Sequence, residues 1–259
     1  MLTEDVLATA GIDAVAVKPT ECDVSRAADL AVETITIDYE GREELPDTET
    51  LTALAEAKTV RVTTPVRADG FDPLGDDELW DRLPEAVGRV LVAGHPAYLT
   101  EAERERSVAP RLEAARRRAP DAWVGTESIE RVALAVGGTQ FELLSRSTER
   151  DLHALRAAGF DGSVAVYAPT VLSEDEDAIL DAVGAYAARR QPVREALPDD
   201  ADTDANAEGR AREVLSAAVR DYALVGDGTS VRSQVETLRE AGADTVVGYP
   251  ARGIEPFVE

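Results

Sequence analysis

A (β/α)8 barrel is the fold class that the sequence predicts, and two observations predict it. Short apolar runs recur along the chain, and helical patterns fill the intervals between them. The runs are consecutive rather than alternating and rich in Val, Ile, Leu and Ala, as befits strands buried on both faces of a parallel sheet. They fall at residues 14–17, 34–38, 59–64, 89–93, 122–125, 139–144, 163–167 and 245–249, eight in all. Strands alternating with helices make right-handed βαβ units, and eight such units in about 250 residues fill a barrel. The rival arrangement, an open doubly wound sheet, lacks its dinucleotide fingerprint, because no run is followed by G-x-G-x-x-G.

The helices follow in order. Residues 48–57 open with a Thr and acidic residues, which suits a helix N-terminus. Residues 76–87 form a second pattern, interrupted by Pro84. Residues 100–118 begin Thr-Glu-Ala-Glu, a capping box. Residues 128–136 stop at Gly137-Gly138, and 147–158 stop at Gly159. Residues 173–190 carry acids in the first turn and arginines in the last, matching the helix dipole. Residues 208–222 and 229–241 complete the set. The segment 198–209 (PDDADTDANAEG) is acidic and almost free of large apolar groups, so a mobile connection within a single domain 1–259 is expected there.

Composition narrows the function classes. The chain has 259 residues, 44% of them hydrophobic, and no apolar run near the roughly 20 residues of a membrane span. Its opening, MLTEDVLATAG, has no basic region before an apolar stretch, so a cytoplasmic protein without a signal peptide is expected. A lone Cys22 excludes an internal disulfide, and two histidines, His95 and His153, argue against a transition-metal site. The net charge is −24, and Lys18 and Lys58 are the only lysines. Such acidity reads as whole-surface solvation in a salt-rich cytoplasm, where salt screens self-repulsion; an acidic face for a basic partner is the other reading. Nucleic acid is a poor partner, since phosphate binding needs a basic stripe, and Arg116–Arg118 is read as a solvated helix face.

Several segments, in order, resemble a known family. Residues 123–128 (WVGTES), the helix after them and the run at 140–144 are similar to the fifth strand, following helix and sixth strand of the luciferase-like superfamily of flavin- and deazaflavin-dependent oxidoreductases. Residues 164–170 (VAVYAPT), 173–177 (SEDED), 189–197 (RRQPVREAL), 224–230 (LVGDGTS) and 242–251 (GADTVVGYPA) resemble its closing segments. In the first half, 60–66 (VRVTTPV) and 88–95 (GRVLVAGH) resemble its third and fourth strands. The family's second strand often delivers an Asp-His pair, where this chain has Ile37-Asp38-Tyr39-Glu40. Its fourth strand usually leads into a glycine-rich ending and a long insertion, where this chain has His95-Pro96 and a short connection. The chain thus resembles a compact, reduced member of haloarchaeal type. The resemblance implies FMN or the deazaflavin coenzyme as cofactor, a small-molecule ligand at the C-terminal mouth of the barrel, and a homodimer.

In barrels of this class function sits at the C-terminal ends of the strands. That rule selects Lys18, Asp38, Thr64, His95, Glu127, Ser128, Ser145, Arg146, Thr170 and Arg252. Asp38 and His95 are the candidate acid–base residues; His95 reads equally as the structural histidine of a His-Pro turn. Asp38 and Glu40 alternate and so point to one side, where they fit a cation or a base; a salt bridge from Lys18 to Asp38 is an alternative. The resemblance places Thr64 beside the flavin ring. Glu127 and Ser128 precede a helix whose free N–H groups suit a phosphate, although Thr126 or Ser128 also reads as a plain N-cap. Arg252, after the last strand, suits bidentate phosphate binding or a surface salt bridge. Cys22 reads as a buried apolar residue, His153 as a partly exposed helix residue, and 226–230 (GDGTS) as a turn and N-cap. Two functions remain open: a flavin or deazaflavin oxidoreductase, or a barrel without redox chemistry that binds or scaffolds. A lyase using Lys18 is a third.

Overall fold

The computed structural model describes residues 6–126 and 129–258. Among them are nine strands: β1 Ala14–Val17, β2 Thr34–Ile37, β3 Thr59–Pro65, β4 Gly88–Val92, β5 Trp123–Gly125, β6 Gln140–Leu143, β7 Val164–Leu172, β8 Leu224–Gly226 and β9 Thr245–Pro250. Six of them lie in the order β6-β5-β4-β3-β2-β1, with β6 also paired to β7, and three in the order β9-β7-β8. Helices lie between successive strands, and the fold is a (β/α)8 barrel.

Contacts divide the chain into two compact units. One holds Ala14–Leu143 with Asp161–Val166. Here β1 to β6 pair in parallel in sequence order, Val15 beside Ile35, Ile35 beside Val60, Val62 beside Arg89 and Leu91 beside Val124. Ile35, Ile37, Val62, Val90 and Leu91 are fully buried, which is why these strands read as continuous apolar runs. The other unit holds residues 6–13, Leu144–Phe160 and residues 167–258. Its helices α8 Glu176–Ala188 and α10 Gly209–Tyr222 pack through Leu180, Val183, Leu215 and Tyr222, joined by Val193 of α9 Gln191–Ala196.

The eight expected strands are all present, and β7 runs five residues further, to Leu172, than the expected end at 167. The ninth, β8, was not among the expected strands: its three residues are too short to show a period, and it pairs with Thr170–Leu172 of β7, with a further bridge from Gly226 to Ser173. The expected helix 100–118 is two helices, α4 Glu101–Arg104 and α5 Val108–Arg118. Pro110 explains the break, because it has no N–H to donate to the Arg106 carbonyl and fits only a first turn. The expected helix 76–87 shrinks to α3 Glu78–Arg82, since Pro84 drives Leu83 to an extended conformation (φ −72°, ψ 135°). The three arginines 116–118 do not share a solvated face. Arg117 stays exposed beside Glu113, whereas Arg118 bonds Asp77 and Asp81 and Arg116 donates to the Ala119 carbonyl. The segment 198–209 carries contacts of its own: the Ala205 N–H donates to Asp181 on α8 and Ala207 is buried among α8 and α10.

Candidate functional site

At the C-terminal ends of β1 to β4 the connecting loops are held by polar groups. Lys18, just after β1, pairs with Glu21 at 3.2 Å. Thr20 donates from both its amide and its hydroxyl to Glu40 (3.0 and 2.6 Å), so that carboxylate is engaged. Asp38 follows β2, half-buried, and its amide donates to the Val17 carbonyl. Tyr39 donates its amide to the Thr63 hydroxyl at 2.5 Å, and its ring meets Phe71 edge-on at 5.3 Å. Burial raises the Tyr39 pKa and Glu103 adds to the rise, against Arg42, so the phenol stays protonated at neutral pH.

The loop after β3 is fastened to the loops after β4 by a network that the sequence reading missed. The Arg67 guanidinium donates to the backbone carbonyls of Ala93 (2.7 Å), Gly94 (3.4 Å) and Arg104 (2.7 Å). Glu103 accepts from the Asp69 amide at 2.7 Å and closes a capping box with Thr100. Arg106 pairs with Asp69 at 2.8 Å, and Asp72, 1% exposed, accepts from Arg111 at 2.8 Å and Arg106 at 3.3 Å. Gly70 is a positional requirement: its φ is +92° and a Cβ would strike Leu79 at 2.6 Å.

Burial alone would raise the Glu103 pKa, but the amides of Asp69 and Thr100, the Thr100 hydroxyl and Arg106 outweigh it and hold the carboxyl below its ordinary value. A depressed carboxyl pKa contributes stability above the unfolded value of 4.5, lost as pH falls through the folded value. Glu103→Gln is therefore expected to lower stability by about 1–2 kcal/mol at neutral pH, with a gap to wild type that narrows once the pH is taken well below 4.5. Urea midpoints at the two pH values check it; an equal gap at both would refute the electrostatic account.

The sequence-derived candidates are placed as follows. Thr64 is fully buried, and its hydroxyl donates to the Val62 carbonyl rather than facing solvent. His95 is exposed; its Nδ1 accepts from the Ala97 amide at 3.1 Å and caps the short helical turn Pro96–Tyr98. That is the structural His-Pro role, and it leaves Nε2 uncommitted to the cap. Glu127 and Ser128 lie outside the described residues. The helix after them, α6 Glu130–Val136, is seven residues long, and Ile129 caps it without a side-chain bond. In the other unit, Thr170 is buried with its hydroxyl on the Ala168 carbonyl, while Tyr167 and Tyr249 stack at 6.0 Å. Arg252 is exposed after β9 and makes no hydrogen bond or ion pair among the described residues, so the expected surface salt bridge is not formed there. Asp227 caps α11 Gly228–Ala241 through the Ser230 amide, the turn-and-cap role read from residues 226–230. Cys22 is half-buried, with its thiol toward the Lys18 carbonyl. Among the described residues no cluster of His, Cys, Asp or Glu suits a metal ion, and no helix is long and apolar enough to cross a membrane.

This architecture defines a class of barrel also seen in enzymes of known structure. An F420-dependent secondary alcohol dehydrogenase, solved with an F420-acetone adduct, matches over 95% of this chain and 96% of its own, with a TM-score of 0.62 and 11% identity. The monooxygenase RslO1 from Streptomyces bottropensis matches over 95% of each chain, with a TM-score of 0.54 and 17% identity. No curated protein sequence matches. The chain belongs to the family of unknown function DUF7388, whose model matches residues 7–257.

Proposed function

We propose that this protein is a luciferase-like barrel oxidoreductase that binds the deazaflavin coenzyme or FMN. The observation that carries the reading is the end-to-end likeness to an F420-dependent dehydrogenase, with no large part of either chain left over. The cofactor would bring the hydride-accepting ring, and the protein would bring binding, orientation and proton handling. Arg252 fits the cofactor's phosphate, because its guanidinium has no competing carboxylate among the described residues. Asp38 and the Nε2 of His95, which the cap does not use, are the groups assigned to holding or moving a proton. Thr64 stays a sequence-based candidate beside the cofactor ring, and Glu127 and Ser128 stay as sequence-based candidates for the phosphate. The charge of −24 fits a protein of salt-rich cytoplasm.

Titration with the deazaflavin coenzyme and with FMN, followed by cofactor fluorescence, is expected to give saturable binding of one of them. Arg252→Gln is expected to weaken it roughly tenfold, the loss of one charge-assisted phosphate contact. No binding of either cofactor below millimolar concentration would refute the reading. A second reading, a barrel that binds without redox turnover, is favoured by two observations: Glu40 is tied to Thr20, and the stretch Ile37-Asp38-Tyr39-Glu40 has no histidine. Binding without reduction of any alcohol or aldehyde tried would favour it.

A further inference from the structure

The outer surface of α9 and α10 carries a groove of about 290 Å³, smaller than most small-molecule sites. Pro192, Val193 and Ala196 of α9 and Val214, Ala217 and Ala218 of α10 make its floor apolar. Pro192, Ala196 and Ala217 are exposed, and their small side chains let another helix approach closely. Four charged residues stand at the rim, Arg146 and Arg210 against Glu213 and Asp221. Their charges cancel, whereas the chain as a whole carries −24. Two copies of so acidic a chain repel each other over most of their surfaces, and a balanced, apolar patch is where they can meet.

Arg210, Val214, Ala217 and Asp221 follow at intervals of four, three and four residues and so line one face of α10. The spacing reads the same from either end. A twofold axis between Val214 and Ala217 sets Val214 of one copy against Ala217 of the other, and Arg210 of one against Asp221 of the other. In such an isologous contact each pair occurs twice, so an Arg–Asp pair closes both ends. A parallel arrangement would instead set Arg210 against Arg210. Neither charge is explained by its own helix. Arg210 stands in the first turn, where the dipole favours an acid, and Asp221 in the last, where it favours a base. Asp221 is exposed and makes no hydrogen bond or ion pair among the described residues. Arg210 has Glu213 at 3.9 Å, with side chains 70% and 75% exposed, a contact of little worth.

We propose that a second copy of this chain docks here, α10 against α10, antiparallel about a twofold axis between Val214 and Ala217, with α9 flanking the contact. Val214, Ala217 and the α9 floor supply the apolar centre, and the Arg210–Asp221 pairs fix direction and register. No cofactor enters the contact, so it stands apart from the redox reading.

Sedimentation of the intact chain at about 0.15 M KCl, where charges are screened beyond about 8 Å and contact pairs survive, is expected to show a concentration-dependent dimer. Ala217→Glu, at an exposed helix position, is expected to weaken it roughly tenfold or more by placing a charge in the apolar centre. Arg210→Asp is expected to weaken it roughly tenfold, because attraction becomes repulsion at both ends. An acid suits the first turn of α10 better than arginine does, so a damaged helix does not account for that loss. Asp221→Arg is expected to act likewise, and the two reversals together to restore the dimer to within about threefold of wild type. A chain that stays monomeric up to about 1 mM overturns the proposal. So does a dimer that Ala217→Glu leaves unchanged, or one that the double reversal leaves as weak as either single reversal.

Discussion

Asp72→Ala is expected to destabilise the protein by about 3–5 kcal/mol, the loss seen when one member of a buried ion pair is removed. The Asp72 carboxylate is almost wholly out of water and is shared by three donors, Arg111 at 2.8 Å, Arg106 at 3.3 Å and the Leu74 amide at 2.9 Å. Arg106 keeps Asp69 as an alternative partner, at 2.8 Å. Arg111, with its side chain only 16% exposed, has no second carboxylate among the described residues. The substitution therefore strands a mostly buried cation and a backbone amide, and that stranding is the main cost. Asp72→Asn keeps the shape and the amide bond and is expected to recover about half of the loss. Because the pair is buried, the penalty should persist in high salt, where exposed pairs fade. Urea midpoints of the two variants at low and high KCl measure this; a loss under about 1 kcal/mol for the alanine variant would show that the network is dispensable.

Gly184→Ala comes second, at about 1–3 kcal/mol, the cost of overpacking a filled interior. Its sign is the informative part. Alanine in the middle of a helix ordinarily stabilises by about 0.5–1 kcal/mol relative to glycine. Here Gly184 faces residue 203 in the acidic connection, and a Cβ would come closer than 3.0 Å to the Thr203 carbonyl oxygen. The composition of 198–209 points to mobility, while the Ala205 amide on Asp181 and the buried Ala207 point to a seated segment. If the segment is seated, alanine destabilises and speeds hydrogen exchange at Ala205. If it moves freely, alanine is neutral or stabilising.

Strands such as Thr34–Ile37 and Thr59–Pro65 were legible because burial on both faces leaves an unbroken apolar or β-branched run. The capping box at Thr100 and Glu103 was legible because both partners lie within one turn. The Asp72–Arg111 pair was not, since 39 residues separate its members and nothing marks one acid among 51. The break before α5 depended on Pro110 and on Arg106 being drawn to Asp69 and Asp72, which is a tertiary fact. For the candidate site, position at a strand end was readable, but the direction of a hydroxyl was not. Thr64 stands at such an end and bonds its own strand.

Among the described residues Arg67 answers to three carbonyls and to no side chain. A guanidinium that grips only main chain prescribes the path of its neighbours without prescribing their identity. Positions 93 and 104 are then free to drift over generations so long as the backbone keeps its course, while position 67 is not. Descent would leave a solitary fixed arginine with no co-varying companion, and a search for correlated pairs would pass over the very clamp that keeps these loops together.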